Sequence, residues 1–146
     1  MTAPWGVAVA GIFGWLGMVL AISFMEAPLK FHAPGVTLQV GLGIGRLVFR
    51  ALNAAELVLS VVVLVALQFE PPPARVTVAI LVAVVVLAVQ LVAVRPSLTR
   101  RSDAVLAGGE GEDLSARRSR GHYVYIGLEL IKAIALLVSG ILLLAA

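Results

Sequence analysis

Four stretches of apolar sequence, each close to a membrane thickness in length, constrain this chain more than any other feature. A helix needs about 20 apolar residues to cross roughly 30 Å of hydrocarbon, because each residue advances about 1.5 Å. Residues 5–24 meet that requirement with Ser23 as the only polar side chain, and residues 76–94 meet it with only Thr77 and Gln90. Residues 47–69 and 124–146 are long enough, but each carries charges in its first half. Prolines stand between the stretches: Pro28 and Pro34 after the first, Pro71, Pro72 and Pro73 after the second, Pro96 after the third. Proline removes a backbone donor and disfavours helix in the residue before it, so breaks are expected there. The chain is 61% hydrophobic and 13% charged, against about a quarter charged in a soluble domain. The expected fold is all-α: a polytopic membrane four-helix bundle forming one transmembrane domain over residues 1–146.

Two connecting segments carry their own expectations. Residues 95–121 mix arginine, serine and aspartate with Gly108-Gly109-Glu110-Gly111, and read as a flexible cytoplasmic loop. Residues 35–45 are apolar and glycine-rich, suiting an interfacial or re-entrant segment or an early start to the second helix. Gly41, Gly43 and Gly45 do not make a nucleotide loop, because that motif needs a preceding strand and a βαβ unit. The chain has no cysteine, which excludes disulfides, a thiolate metal site and a cysteine nucleophile. No basic stretch precedes the first span, so no targeting peptide is expected.

Orientation follows from the lysines and arginines. Lys30, Arg46, Arg50, Arg95, Arg100, Arg101, Arg117, Arg118 and Arg120 lie in or beside the first and third loops, whereas the second loop and both termini offer only Arg75. The first and third loops are therefore expected in the cytoplasm, with both termini on the other side of a plasma membrane. The net charge of +3 is accounted for by this distribution, and no nucleic-acid partner is expected.

The second and fourth spans share a pattern. Residues 45–56 lie over residues 121–132 with glycine on glycine, valine on valine, leucine on leucine, Phe49 on Tyr125 and Ala51 on Gly127. Polar residues coincide as well: Arg46 with His122, Asn53 with Glu129, Glu56 with Lys132. Two helical hairpins of the same orientation, a parallel repeat, generate such a pattern. At about 100° per residue, Arg46, Arg50, Asn53 and Glu56 share a third of one helix's circumference, and His122, Tyr125, Glu129 and Lys132 share a narrower arc of the other. Glu56 and Lys132 lie about 15 Å deep, near the midplane, where an ionised residue costs at least about 2.5–3.5 kcal/mol and turns inward to a partner.

These eight residues are the candidate ligand-binding set: Arg46, Arg50, Asn53, Glu56, His122, Tyr125, Glu129 and Lys132. With Lys30 and Arg95 they outline a polar cavity with a cationic mouth, suited to a small anionic or amphipathic molecule. Glu56 and Lys132 are expected to meet across the helix interface. His32 and His122 are too far apart in sequence for a metal-ligand spacing, so no metal and no cofactor is expected. No serine–histidine–acid arrangement is visible. The leading expectation is a non-enzymatic membrane protein that binds or translocates such a molecule. An enzyme acting on a lipid or isoprenoid-like substrate through Glu56 or Glu129, and an assembly subunit of a larger membrane complex, are the alternatives. Gly6, Ala10 and Gly14 form a small-residue face expected to pack on another helix, within the chain or between copies of a homo-oligomer embedded in membrane lipid.

With Ala27-Pro28-Leu29-Lys30-Phe31 after the first span and Gly45-Arg46-Leu47-Val48-Phe49-Arg50 leading into the second, the chain resembles a group of small bacterial four-span membrane proteins of a domain-of-unknown-function family. The resemblance covers the first half of the chain. It implies a four-helix membrane fold and transfers no chemistry to any residue.

Overall fold

The computed structural model describes residues 1–107 and 112–146, and their side chains except at residues 101, 102, 105, 106, 112–120 and 122. Among the described residues, four helices are long and apolar enough to cross a membrane, which fits a multi-pass membrane protein. Helix α1 runs over Ala3–His32 and α2 over Leu38–Phe69. Helix α3 runs from Ala74 to Leu106, and α4 occupies Glu112–Leu144. No residue described here is in a strand.

The chain between the helices turns for identifiable reasons. Gly35, at φ 78°, takes the left-handed conformation that a side chain would oppose, and so ends the first connection. Thr37 then caps α2, its hydroxyl accepting from the Val40 N–H at 3.2 Å. The glycine-rich stretch is thus the early start of the second helix, not a re-entrant loop. After α2, Glu70 is extended and the three prolines carry the chain to α3. The start of α1 is tied to this turn, with Trp5 Nε1 donating to the Glu70 carbonyl at 3.0 Å and the Thr2 hydroxyl donating to the Glu70 carboxylate.

Two expected breaks are absent. Helix α1 continues through Pro28 and α3 through Pro96. Each proline is preceded by a π-helical turn, Leu20–Glu26 in α1 and Gln90–Val94 in α3. A proline ring clashes with the carbonyl four residues back, here Phe24 and Val92, and both lie inside those wider turns. Widening the turn moves the carbonyl aside, so each helix carries on. The expected 95–121 loop is correspondingly helical on both sides, over Arg95–Leu106 and from Glu112 onward. Gly108-Gly109-Glu110-Gly111 lies outside the described residues.

Helix α1 packs against α2 and α4, and α3 packs against α4. The core is built from Ala8, Ile12, Trp15 and Val19 of α1, Val63 of α2, Ile80, Ala83 and Leu87 of α3, and Leu136 of α4. Gly11 sits at a close approach, since a Cβ there would come within 2.7 Å of Val63 Cγ2. The predicted Gly6, Ala10, Gly14 face does not pack within the chain: Ala10 and Gly14 are exposed, and nothing lies within 4 Å of a Cβ built on Gly14. Bulky Trp15 and Ile12 turned inward set the phase of α1, and the small-residue stripe faces out.

Candidate functional site

Trp15, Glu56, Gln90 and Lys132 come from four different helices and share one layer. At about 1.5 Å per residue, each lies about 18–24 Å from the Ala3, Phe69, Ala74 or Leu144 end of its helix. Lys132 Nζ is the hub: it is 2.5 Å from Glu56 Oε1, and it donates to Glu129 Oε1 and Gln90 Oε1, each at 2.7 Å. The predicted meeting of Glu56 and Lys132 is present. Lysine has three donors on one ammonium, and all three are used here.

The surrounding polar groups complete the network. Gln90 Nε2 donates to Glu129 Oε1 at 2.6 Å, Ser23 Oγ donates to Glu129 Oε2 at 2.8 Å, and Trp15 Nε1 donates to Glu56 Oε1 at 2.8 Å. Glu56 and Lys132 are 0% exposed and Glu129 is 1% exposed, so these charges depend on partners inside the protein and not on water. A buried charge is tolerated only when paired and hydrogen-bonded. Glu56 Oε2 and Asn53 Nδ2 are buried without a hydrogen-bond partner.

Ser23 and Gln90 lie inside the two π-helical turns. An extra residue in a turn rotates everything beyond it, and these turns bring both polar side chains onto Glu129. Sequence reasoning noticed Ser23 and Gln90 as lone polar residues in apolar spans, yet gave neither a role, and it gave Trp15 none. The signal was their isolation, since a polar group in hydrocarbon must find a partner.

Above this layer, a cavity of about 520 Å³ opens between all four helices. Glu129, Tyr125 and Ser23 line it, Phe31 and Phe49 are among its apolar walls, and Lys30, Arg46 and Arg95 supply its cations. Glu129 therefore belongs to both the cavity and the buried network. The cations differ in how they are held. Lys30 lies 3.6 Å from Glu26 and stacks over the rings of Phe31 and Phe49 at 5.4 Å and 5.5 Å. Arg46 is neutralised by Asp103 at 2.7 Å. Arg95 has no carboxylate partner among the described residues. The Tyr125 hydroxyl is buried near Ser23, at a geometry short of a full hydrogen bond.

The eight predicted residues separate accordingly. Glu56, Glu129 and Lys132 form the buried network, Tyr125 and Arg46 line the cavity, and Asn53 is buried but outside its lining. Arg50 is exposed and outside the lining of this cavity: the far edge of the predicted arc turns outward. The His122 side chain lies outside those described. Among the described residues, no group of three or more His, Cys, Asp or Glu side chains is placed to hold a metal ion. Comparison with family models, with curated proteins and with solved structures finds no match.

Proposed function

We propose that this multi-pass membrane protein binds a small anionic or amphipathic molecule in the cavity between its four helices. The observation that carries this reading is Arg95, a guanidinium on the wall of a 520 Å³ cavity with no carboxylate partner among the described residues. Cavities of about 300–1,000 Å³ with mostly apolar walls and a few convergent polar groups are the usual form of a small-molecule site. Aromatic walls suit an acyl or prenyl chain, and the cations suit a carboxylate or phosphate. The arginine distribution puts the mouth of the cavity on the cytoplasmic side of a plasma membrane and both termini on the other. The layer of Trp15, Glu56, Gln90 and Lys132 closes the inner end, so translocation would require that layer to part. The outward Gly6, Ala10, Gly14 stripe suits contact with lipid or with a second copy in a homo-oligomer. The likeness to small bacterial four-span proteins is part of the same reading.

The test is equilibrium dialysis of decanoate against purified protein in nanodiscs of zwitterionic lipid, with empty nanodiscs subtracting membrane partition. Saturable binding near one per chain is expected. Arg95→Gln should weaken it about tenfold or more, the effect of losing one charge-assisted hydrogen bond worth about 1.5–3 kcal/mol. Binding no greater than in empty nanodiscs, or binding unaffected by the substitution, would overturn the reading.

A further inference from the structure

The charges around the cavity pair off, with one remainder on each side. Lys30 is matched by Glu26 and Arg46 by Asp103. In the buried network Glu56 and Glu129 face a single ammonium, Lys132, leaving one negative charge in excess when both carboxylates are ionised. Arg95 lines the same cavity as Glu129 and has no carboxylate partner among the described residues, so it is the cation left to balance that excess. The other groups facing Glu129 are Ser23 from α1 and Gln90 from α3, neither of which titrates in the physiological range. From its own helix come Lys132 and the Tyr125 phenol. Arg50, exposed on α2, is the remaining described charge that acts on Arg95.

A monoanion seated on Arg95 would cancel the charge that balances the network. The buried excess would then be uncompensated in a low-dielectric interior, where electrostatic interactions are least screened. A proton is the smallest species that restores neutrality, and Glu129 offers it a route because it lines the cavity and belongs to the network. Glu56 Oε2, buried and without a partner, is a second oxygen able to carry it. We propose that occupation of the cavity by a monoanion is coupled to uptake of one proton by the Glu56–Glu129 carboxylate pair, so that the chain takes anion and proton together. In charge terms, one anion on Arg95 and one proton on the pair leave the site as neutral as it was when empty. This rests on the cavity being an anion site, as proposed above.

The experiment is decanoate binding to the full chain in nanodiscs from pH 5.5 to 8.5, a range over which a simple carboxylic acid with a pKa near 5 is mainly ionised. The same titration is run by calorimetry in buffers of different ionisation enthalpy, which counts protons taken up per decanoate. Decanoate should bind more weakly as pH rises, approaching tenfold per pH unit, with close to one proton taken up per anion where the slope is steepest. Glu56→Gln removes the excess charge, so its affinity at pH 8.5 should rise toward the wild-type value at pH 5.5 and the slope should flatten. Saturable binding with a flat pH profile and no proton uptake would overturn the coupling while leaving the anion site standing. An undiminished slope in Glu56→Gln would do the same. Absence of saturable binding at every pH would instead remove the anion site, and the coupling with it. Decanesulfonate, which stays ionised throughout this range, should give the same slope and proton count even if the variant does not fold, and uptake seen with decanoate alone would put the proton on the ligand and overturn the coupling.

Discussion

Lys132 lies 2.5 Å from Glu56, and seven residues earlier on the same two helices Phe49 and Tyr125 meet edge to face with ring centroids 5.5 Å apart. Both pairs join positions that coincide when residues 45–56 are laid over residues 121–132. When two units are related by a two-fold axis, equivalent residues touch each other only where they flank it. Two such contacts at successive depths fit an axis running between α2 and α4. The π-helical turns before Pro28 and Pro96, in the leading helix of each hairpin, are arranged in the same way. At the axis, identical side chains would have set like charges against each other. Glutamate on one side and lysine on the other avoid that.

The network has two carboxylates and one ammonium, so its members are unequal in their effect on stability. Lys132→Met leaves Glu56 and Glu129 buried without a cation and should destabilise the protein by about 3–5 kcal/mol, as removing one partner of a buried pair does. Glu56→Gln leaves Lys132 balanced by Glu129 at 2.7 Å and retains an acceptor for Trp15, so it should cost no more than about 1 kcal/mol. Combining the two substitutions leaves Glu129 as the only network charge, with Arg95 on the same cavity to balance it, and should recover part of the loss. Thermal unfolding in nanodiscs checks the order, and equal costs for the two single variants would show that Glu129 does not share the ammonium.

How much of this was legible in the sequence varies by feature. The depth and inward facing of Glu56, Glu129 and Lys132 could be read because an ionisable group in hydrocarbon has few alternatives to a partner. That Lys132 holds both carboxylates could not, since it depends on the relative rotation of α2, α3 and α4. The two π turns set that rotation for Ser23 and Gln90, and their sequence reads as ordinary apolar helix. Prolines were legible as disturbances but not as widened turns. Small-residue spacing in α1 did not tell an inner face from an outer one, because glycine marks where close approach is allowed, while Trp15 and Ile12 decide which face is turned in.

Gly11 and Gly14 should therefore respond oppositely to the same substitution. Gly11→Ala would put a methyl 2.7 Å from Val63 Cγ2, a side chain that is 0% exposed and has nowhere to move, at a cost of about 1–3 kcal/mol. Gly14→Ala meets nothing within 4 Å and removes a flexible residue from mid-helix, so it should be neutral or stabilising by up to about 1 kcal/mol. Melting curves of the two variants decide this. If Gly14→Leu changes the size of the particle in detergent without lowering its melting temperature, the outward stripe is a contact between copies.

The orientation is testable with unusual ease because the chain has no cysteine. A single cysteine at Ala107, exposed beyond the end of α3 that the proposed orientation puts in the cytoplasm, should be inaccessible to impermeant maleimide in intact cells and label after lysis. A reporter fused after Ala146 should behave as periplasmic or extracellular. Labelling of residue 107 in intact cells would invert the topology and move the cavity mouth to the other face.

Tyr125 separates a ligand site from a structural one. Its side chain lines the cavity and its ring is held by Phe49, while its buried hydroxyl makes no full hydrogen bond. A buried hydroxyl without a full hydrogen bond is a net cost to the folded state, and a small turn of the ring would bring it to a ligand in the cavity. Tyr125→Phe preserves the ring contact and deletes only the oxygen. The free protein should be as stable as wild type or up to about 1 kcal/mol more stable, because an unsatisfied donor has been removed. Decanoate affinity at pH 5.5 should fall about fivefold to tenfold, the effect of one neutral hydrogen bond of about 1–1.4 kcal/mol. A structural hydroxyl would give the reverse: a lower melting temperature and unchanged binding. Melting and dialysis on the same preparation of Tyr125→Phe distinguish the two, since the roles move the two readouts in different directions.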